Sequence, residues 1–152
     1  MPRAERVRSA LGACPFVAVS DCWPTDTTAF ADVVLPAAAW SEKDGTVTNS
    51  ERCMSRQRAL RPAPGEARPD WWMLTEVARR MGWGEQFAYT KPAAIFREHA
   101  ALSAFENAGS RRRIFDIGVL ADIGDDDYDR LRSMQWPLSR DAAAPSDAKR
   151  PA

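Results

Sequence analysis

Five polar residues stand where a chain could grip a ligand. Ser20 and Asp21 follow the apolar run Phe16-Val17-Ala18-Val19. In open α/β sheets ligands bind beyond the carboxyl ends of the strands. A carboxylate there, as at Asp21, can accept two parallel hydrogen bonds from a guanine-like N–H/NH₂ edge. The simpler role for Asp21 is to start a turn, for which aspartate is common. Lys43 and Asp44 precede Gly45, in a turn that follows a second apolar run. A lysine there suits a phosphate as a mobile point charge, or forms part of a solvated charged turn. Asp70 stands at the start of an amphipathic pattern, where an aspartate caps the first helical amides. The hydroxyl of Thr25 has the same capping chemistry. No residue is assigned a catalytic or metal-ligating role. His99, the single histidine, lies without a cysteine, serine or acid at a motif spacing. Cys14, Cys22 and Cys53 contain no C-x-x-C pair, so a zinc or iron–sulfur site within these residues is not expected.

The elements that must position these groups are legible as periodicities. Ala4 to Leu11 reads as a short amphipathic helix, with Val7, Ala10 and Leu11 on one side and Gly12 ending it. Phe16–Val19 and Val33–Leu35 read as strands buried on both faces, with Pro36 ending the second. A helical segment, Asp26 to Ala31, is expected between them behind Pro24 and Thr25. Helix, strand, helix, strand is the rhythm of an open parallel sheet. Thr46–Asn49 is strand-like and polar. Arg61 to Pro69 holds three prolines and a glycine and reads as loop. From Asp70 onward Trp71, Leu74, Val77, Ala78 and Met81 recur at helical spacing, with Arg79 and Arg80 in the last turn and Gly82 as the stop. Thr90 is expected to cap a further helix, with Pro92 in its first turn and Ile95, Phe96 and Leu102 facing inward. Asp125-Asp126-Asp127 opens a last helix, with Tyr128 and Leu131 inward and Trp136-Pro137 at its end.

The fold class expected is α/β, a partial open, mainly parallel sheet flanked by helices. Residues 1–138 are expected to form a partial dinucleotide-binding domain and residues 139–152, rich in alanine and proline, a disordered tail. The chain starts on a helix with no strand before it, which suggests that it cuts into a larger α/β domain. Lysine plus arginine balances aspartate plus glutamate at 21 each among 152 residues, so net charge points to neither nucleic acid nor membrane. Arg52, Arg56, Arg58 and Arg61 form a basic run, a weak nucleic-acid signal in a neutral chain. No apolar run reaches the ~20 residues that span a bilayer, and MPRAERVRSALGA lacks the apolar region of a secretory signal. A cytoplasmic protein without nucleic-acid or membrane partners is the expectation.

Residues 25–42, TDTTAFADVVLPAAAWSE, resemble a signature of prokaryotic molybdopterin oxidoreductases. That pattern has alanine-aspartate, two aliphatics, Leu-Pro, small residues and a glutamate. Here these are Ala31-Asp32, Val33-Val34, Leu35-Pro36, Ala38-Ala39 and Glu42. Within the family, EKDGTVTNSER, RPDWWML, IFREHAALSAFEN and QWP look most like the catalytic subunit of assimilatory nitrate reductase. Cys53 departs from it, standing where a second arginine is expected.

The resemblance implies a cofactor, molybdopterin guanine dinucleotide, present as a pair around one molybdenum in the full enzyme. It implies that Ser20 and Asp21 contact the guanosine end and that Lys43 and Asp70 also contact cofactor, with Thr25 a further candidate. Glu42, Asn49 and Arg52 would hold the loop instead. The full enzyme would carry a 4Fe-4S cluster whose cysteine ligands have no match in this sequence, and its remaining domains would be the chain's partners. The activity implied is reduction of nitrate to nitrite in nitrate assimilation, with this piece inactive alone and about a sixth to a fifth of an enzyme of several ordinary domains. Formate dehydrogenases and sulfur-compound reductases would share the same cradle. A non-catalytic remnant is the other alternative.

Overall fold

A computed structural model describes residues 3–138. These fall into two contact units, residues 3–43 with 59–88 and residues 44–58 with 89–138. The tail expected over 139–152 lies outside the described residues.

The first unit contains helix α1 (Ala4–Ala13), strands β1 (Ala18–Asp21) and β2 (Val33–Pro36), and helix α2 (Asp70–Arg80). β1 and β2 pair in parallel, from Ala18 opposite Val33 to Asp21 opposite Pro36. The Asp32 carboxylate helps to start this pairing by accepting the Val17 N–H at 2.7 Å. The Val17 carbonyl in turn accepts the N–H groups of Asp32 and Val33 at 2.8 and 3.2 Å. The first strand therefore starts two residues later than expected, and Ser20 and Asp21 are its last residues, not its successors. The helix expected over Asp26–Ala31 is a single 3₁₀ turn, Thr28–Phe30. Burial on both strand faces is not found. Val33 and Val34 of β2 are exposed, as is Phe16 just before β1.

α2 departs from expectation at its N-terminus and along its apolar stripe. Its N-cap is Pro69, so Asp70 is the first helical residue and leaves its carboxylate for other partners. Met73 and Thr75 are the buried residues, while Leu74, Val77 and Met81 are exposed. Helical periodicity marks an apolar stripe without saying what covers it. Gly82 ends the helix as expected, at a positive φ of 93° that L side chains rarely adopt.

The second unit holds an antiparallel sheet of β3 (Gly45–Thr48), β4 (Cys53–Gln57) and β5 (Met134–Gln135), with helices α3 (Pro92–Ala104) and α4 (Asp125–Asp129). The β3–β4 turn is tied by Asn49, whose side-chain oxygen accepts the N–H groups of Glu51 and Cys53, each at 3.0 Å. Arg52 sits at positive φ in the same turn, and its N–H donates to the Asn49 carbonyl at 3.0 Å, so Asn49 holds the loop as expected. Its core comprises Met54, Ala93, Phe96, Ala100, Ile117, Tyr128 and Leu131. Phe96, Tyr128 and Leu131 face inward as expected, but Leu102 is exposed. α3 is preceded by Lys91, not capped by Thr90, since Pro92 already fits the first helical position. α4 ends at Asp129 and not near Trp136, because Met134 and Gln135 pair with β4.

The fold is thus mixed α/β. The mainly parallel sheet expected is replaced by one parallel pair and one three-stranded antiparallel sheet.

Candidate functional site

The site is built at the end of the parallel pair, within the first unit. Three backbone hydrogen bonds assemble it. Ala37 N–H donates to the Asp21 carbonyl at 3.1 Å, Arg68 N–H to the Pro36 carbonyl at 3.0 Å, and Ala38 N–H to the Arg68 carbonyl at 2.9 Å. The last two carry the loop before α2 alongside the end of β2, so Asp70 arrives beside Ser20.

Asp70 gathers two of the other predicted residues. Ser20 Oγ–H donates to its Oδ1 at 2.8 Å, and Lys43 Nζ donates to its Oδ2 at 2.8 Å. These contacts join residues 27 and 50 positions away in the chain. Burial pushes the Asp70 carboxyl up, but the hydrogen bonds from Lys43 and Ser20 and the lysine's charge outweigh it. Its pKa lies below the ordinary 3.8, so it is ionised at neutral pH.

Lys43 is held in reach by the turn before it. Glu42, buried at the end of the 3₁₀ turn Trp40–Glu42, accepts the Ala39 N–H at 2.9 Å with one oxygen. Its other oxygen accepts Arg61 at 2.7 Å. The Ser41 carbonyl accepts the N–H groups of Leu60 and Arg61 at 2.8 and 3.2 Å. Glu42 therefore holds the loop, as expected.

Successive side chains of a strand point to opposite faces. While Ser20 faces Asp70, Asp21 lines an open cleft of about 490 Å³ on its own side. Thr25 lines the same cleft, and its hydroxyl lies 3.4 Å from Asp21 Oδ2. Asp21 Oδ1 accepts the Trp23 N–H at 3.2 Å. Thr25 also accepts the Thr28 N–H at 3.3 Å, but it caps no helix, since the 3₁₀ turn Thr28–Phe30 has Thr27 as its N-cap and no side-chain cap bond. The five predicted residues thus form two adjoining groups, Ser20–Lys43–Asp70 and Asp21–Thr25. Asp70 is not an N-cap, since Pro69 holds that position.

Two features escaped the sequence. One is the Glu42–Arg61 pair, whose only trace is an arginine at the head of the proline-rich loop. The other is the cleft wall at Trp23 and Pro24, whose trace is an aromatic residue two positions after Asp21. The basic run is largely consumed internally. Arg56 pairs with Asp44 and Asp129 with its side chain only 6% exposed, and Arg58 bonds the Asp129 carbonyl. Among the described residues, no three of His, Cys, Asp and Glu are grouped so as to hold a metal ion. No described helix is long and apolar enough to cross a membrane.

A family model described as molybdopterin oxidoreductase matches residues 2–80, more than half of the chain and every residue of the two groups above. The chain belongs to the molybdopterin oxidoreductase family. It is 52% identical over 145 residues to a nitrate reductase of Klebsiella oxytoca, covering 95% of this chain and 16% of that protein. It is 48% identical over 98 residues to the F420-dependent formate dehydrogenase 2 subunit alpha of Methanococcus maripaludis, covering 64% of this chain and 14% of that protein. Acetylene hydratase from Pelobacter acetylenicus has a similar fold, with a TM-score of 0.62 over 88% of this chain and 16% of that one at 21% identity. The chain therefore spans about a sixth of the length of relatives from an oxidoreductase family.

Proposed function

We propose that this chain forms the part of a nitrate reductase that holds the guanosine end of molybdopterin guanine dinucleotide. The observation that carries the reading is the convergence of Ser20, Lys43 and Asp70, with Asp21 adjoining, at the carboxyl end of the parallel pair. The donor set fits such a group. Asp21 offers a two-oxygen acceptor to the N–H/NH₂ edge of guanine. Ser20 and the ionised Asp70 offer partners for ribose hydroxyls. Lys43, steered by Asp70, brings a positive charge for the pyrophosphate. The cleft beside Asp21 has apolar walls, Val34 and Pro36 among them, suited to the face of a base.

When bound, the molybdenum cofactor would supply oxygen-atom transfer, converting nitrate to nitrite, while the protein supplies position and electrostatics. Metal ligands and the 4Fe-4S cluster would belong to other domains, the partners of this one, in a cytoplasmic enzyme. Nitrate is favoured by the extent of the likeness, 145 residues at 52% identity for the nitrate reductase against 98 residues at 48% for the formate dehydrogenase. Formate oxidation is the second reading, and it rests on that shorter match.

The test is calorimetric titration of the 152-residue chain with guanosine diphosphate. Replacing Asp21 by alanine removes charge-assisted hydrogen bonds worth about 1.5–3 kcal/mol, so affinity should fall about tenfold to a hundredfold. Equal binding by both proteins, or by neither, would overturn the reading.

A further inference from the structure

Trp23 walls the cleft beside Asp21 and has no other assigned role. It is the bulkiest side chain lining the cleft beside Asp21, and it is 73% exposed. An indole left so open gives up a large apolar burial. Its backbone, by contrast, is fixed. Its N–H is bound to Asp21 Oδ1 at 3.2 Å, and Pro24 follows it. Beyond Pro24, Thr25 and Thr28 clasp each other, with Thr25 N–H donating to Thr28 Oγ1 at 2.8 Å and Thr28 N–H to Thr25 Oγ1 at 3.3 Å. The loop therefore carries Trp23 on a pinned backbone that is bonded to the Asp21 carboxylate, in the lining of the same cleft. Pro24, Val34 and Pro36 supply rigid apolar lining to the same cleft.

A flat platform next to a two-oxygen acceptor is complementary to a planar base with an N–H/NH₂ edge. We infer that Trp23 is the stacking residue for the guanine, with Asp21 reading its edge. This rests on the proposed guanosine site and names the residue that supplies affinity there, as distinct from the one that supplies base selectivity. Stacking accepts every base, because every base has a π-face. The carboxylate accepts only bases that present donors, and it repels the ring-nitrogen acceptor of adenine.

The two roles separate in one experiment on the full 152-residue chain, titrated with guanosine diphosphate and with adenosine diphosphate. Binding is read by calorimetry and by tryptophan fluorescence. Trp23→Ala should weaken both nucleotides by a similar factor, about tenfold to a hundredfold, the range of base–aromatic stacking. Trp23→Phe should restore most of that loss. Asp21→Asn should weaken guanosine diphosphate alone and collapse the ratio between the two. Part of the fluorescence quenching on binding should vanish in Trp23→Phe. Because the side chain is mostly in water, circular dichroism and melting should match the parent in both Trp23 variants. If Trp23→Ala binds guanosine diphosphate as tightly as the parent while Asp21→Ala does not, the stacking role is wrong and the guanosine site stands. If the parent binds neither nucleotide, the guanosine reading itself fails and takes this inference with it.

Discussion

An aspartate in the first turn of a helix ordinarily serves that helix, where its charge meets the dipole. Asp70 instead spends both oxygens on residues from other segments, Ser20 and Lys43. With about half of its side chain exposed at 47%, the pair with Lys43 adds no more than about 1 kcal/mol to stability. Its pH dependence has a definite sign. The folded pKa lies below 3.8, so the contribution is complete above that value and is lost as pH falls through the folded pKa. Melting of the parent and of Asp70→Asn, compared from neutral pH downward, should show a gap that closes in acid below pH 3.8. A gap that stays constant would mean that the contacts of Asp70 do not depend on its charge. Asp70→Asn should also weaken guanosine diphosphate, since Lys43 loses the partner that steers it.

At the scale of elements, the turn Trp40–Glu42 and the close approach to α3 are the places where one side chain decides local geometry. Glu42 is buried and satisfies the Ala39 N–H, whereas its partner Arg61 is exposed. Glu42→Ala strands that amide and should cost about 1–3 kcal/mol in urea unfolding. Arg61→Ala leaves the carboxylate its amide partner but removes its counter-charge, and should cost less than Glu42→Ala. Equal costs would show that the pair, and not the amide bond, holds the turn. In the second unit, a Cβ on Gly118 would lie 2.3 Å from the Ala104 Cβ of α3. Gly118→Ala should therefore destabilise by about 1–3 kcal/mol, the usual range for overpacking, measured the same way. Neither effect could be read from the chain alone. What was legible there was local. Both parallel strands, the hairpin's polar first strand, α2 and the inward faces of Phe96, Tyr128 and Leu131 follow from periodicity and punctuation, whereas α1 runs through Gly12, its expected stop, to Ala13. β1 starts two residues inside the apolar run, where the Asp32 carboxylate, 15 residues on, accepts the Val17 N–H and helps to start the pairing. α4 ends well before Trp136 because Met134 and Gln135 find a partner strand some eighty residues earlier. Ser20, Lys43 and Asp70 were nameable from resemblance, but their mutual contacts depend on the Arg68–Pro36 and Ala38–Arg68 bonds, which no spacing announces.

At the scale of the whole molecule, the first unit leaves apolar surface in water. Leu74 of α2 and Met81, its C-cap residue, are 66% and 69% exposed, and Val77 lies between them on the same stripe. Val33 and Val34 of the two-stranded sheet are exposed as well. Isolated apolar residues on a surface are ordinary, but a continuous stripe on a helix favours association. The chain spans 16% of the length of the Klebsiella oxytoca nitrate reductase, so most of what surrounds this segment in such an enzyme is other polypeptide. Sedimentation of the 152-residue chain at increasing concentration should therefore show self-association. The double variant Leu74→Glu, Met81→Glu places charge on the stripe without disturbing Met73 or Thr75, the residues α2 buries. It should sediment as a monomer and melt at the parent's temperature, because nothing buried has changed. A parent that stays monomeric throughout would show that the stripe does not mediate association. A double variant that loses its fold would show that α2 uses the stripe for its own packing.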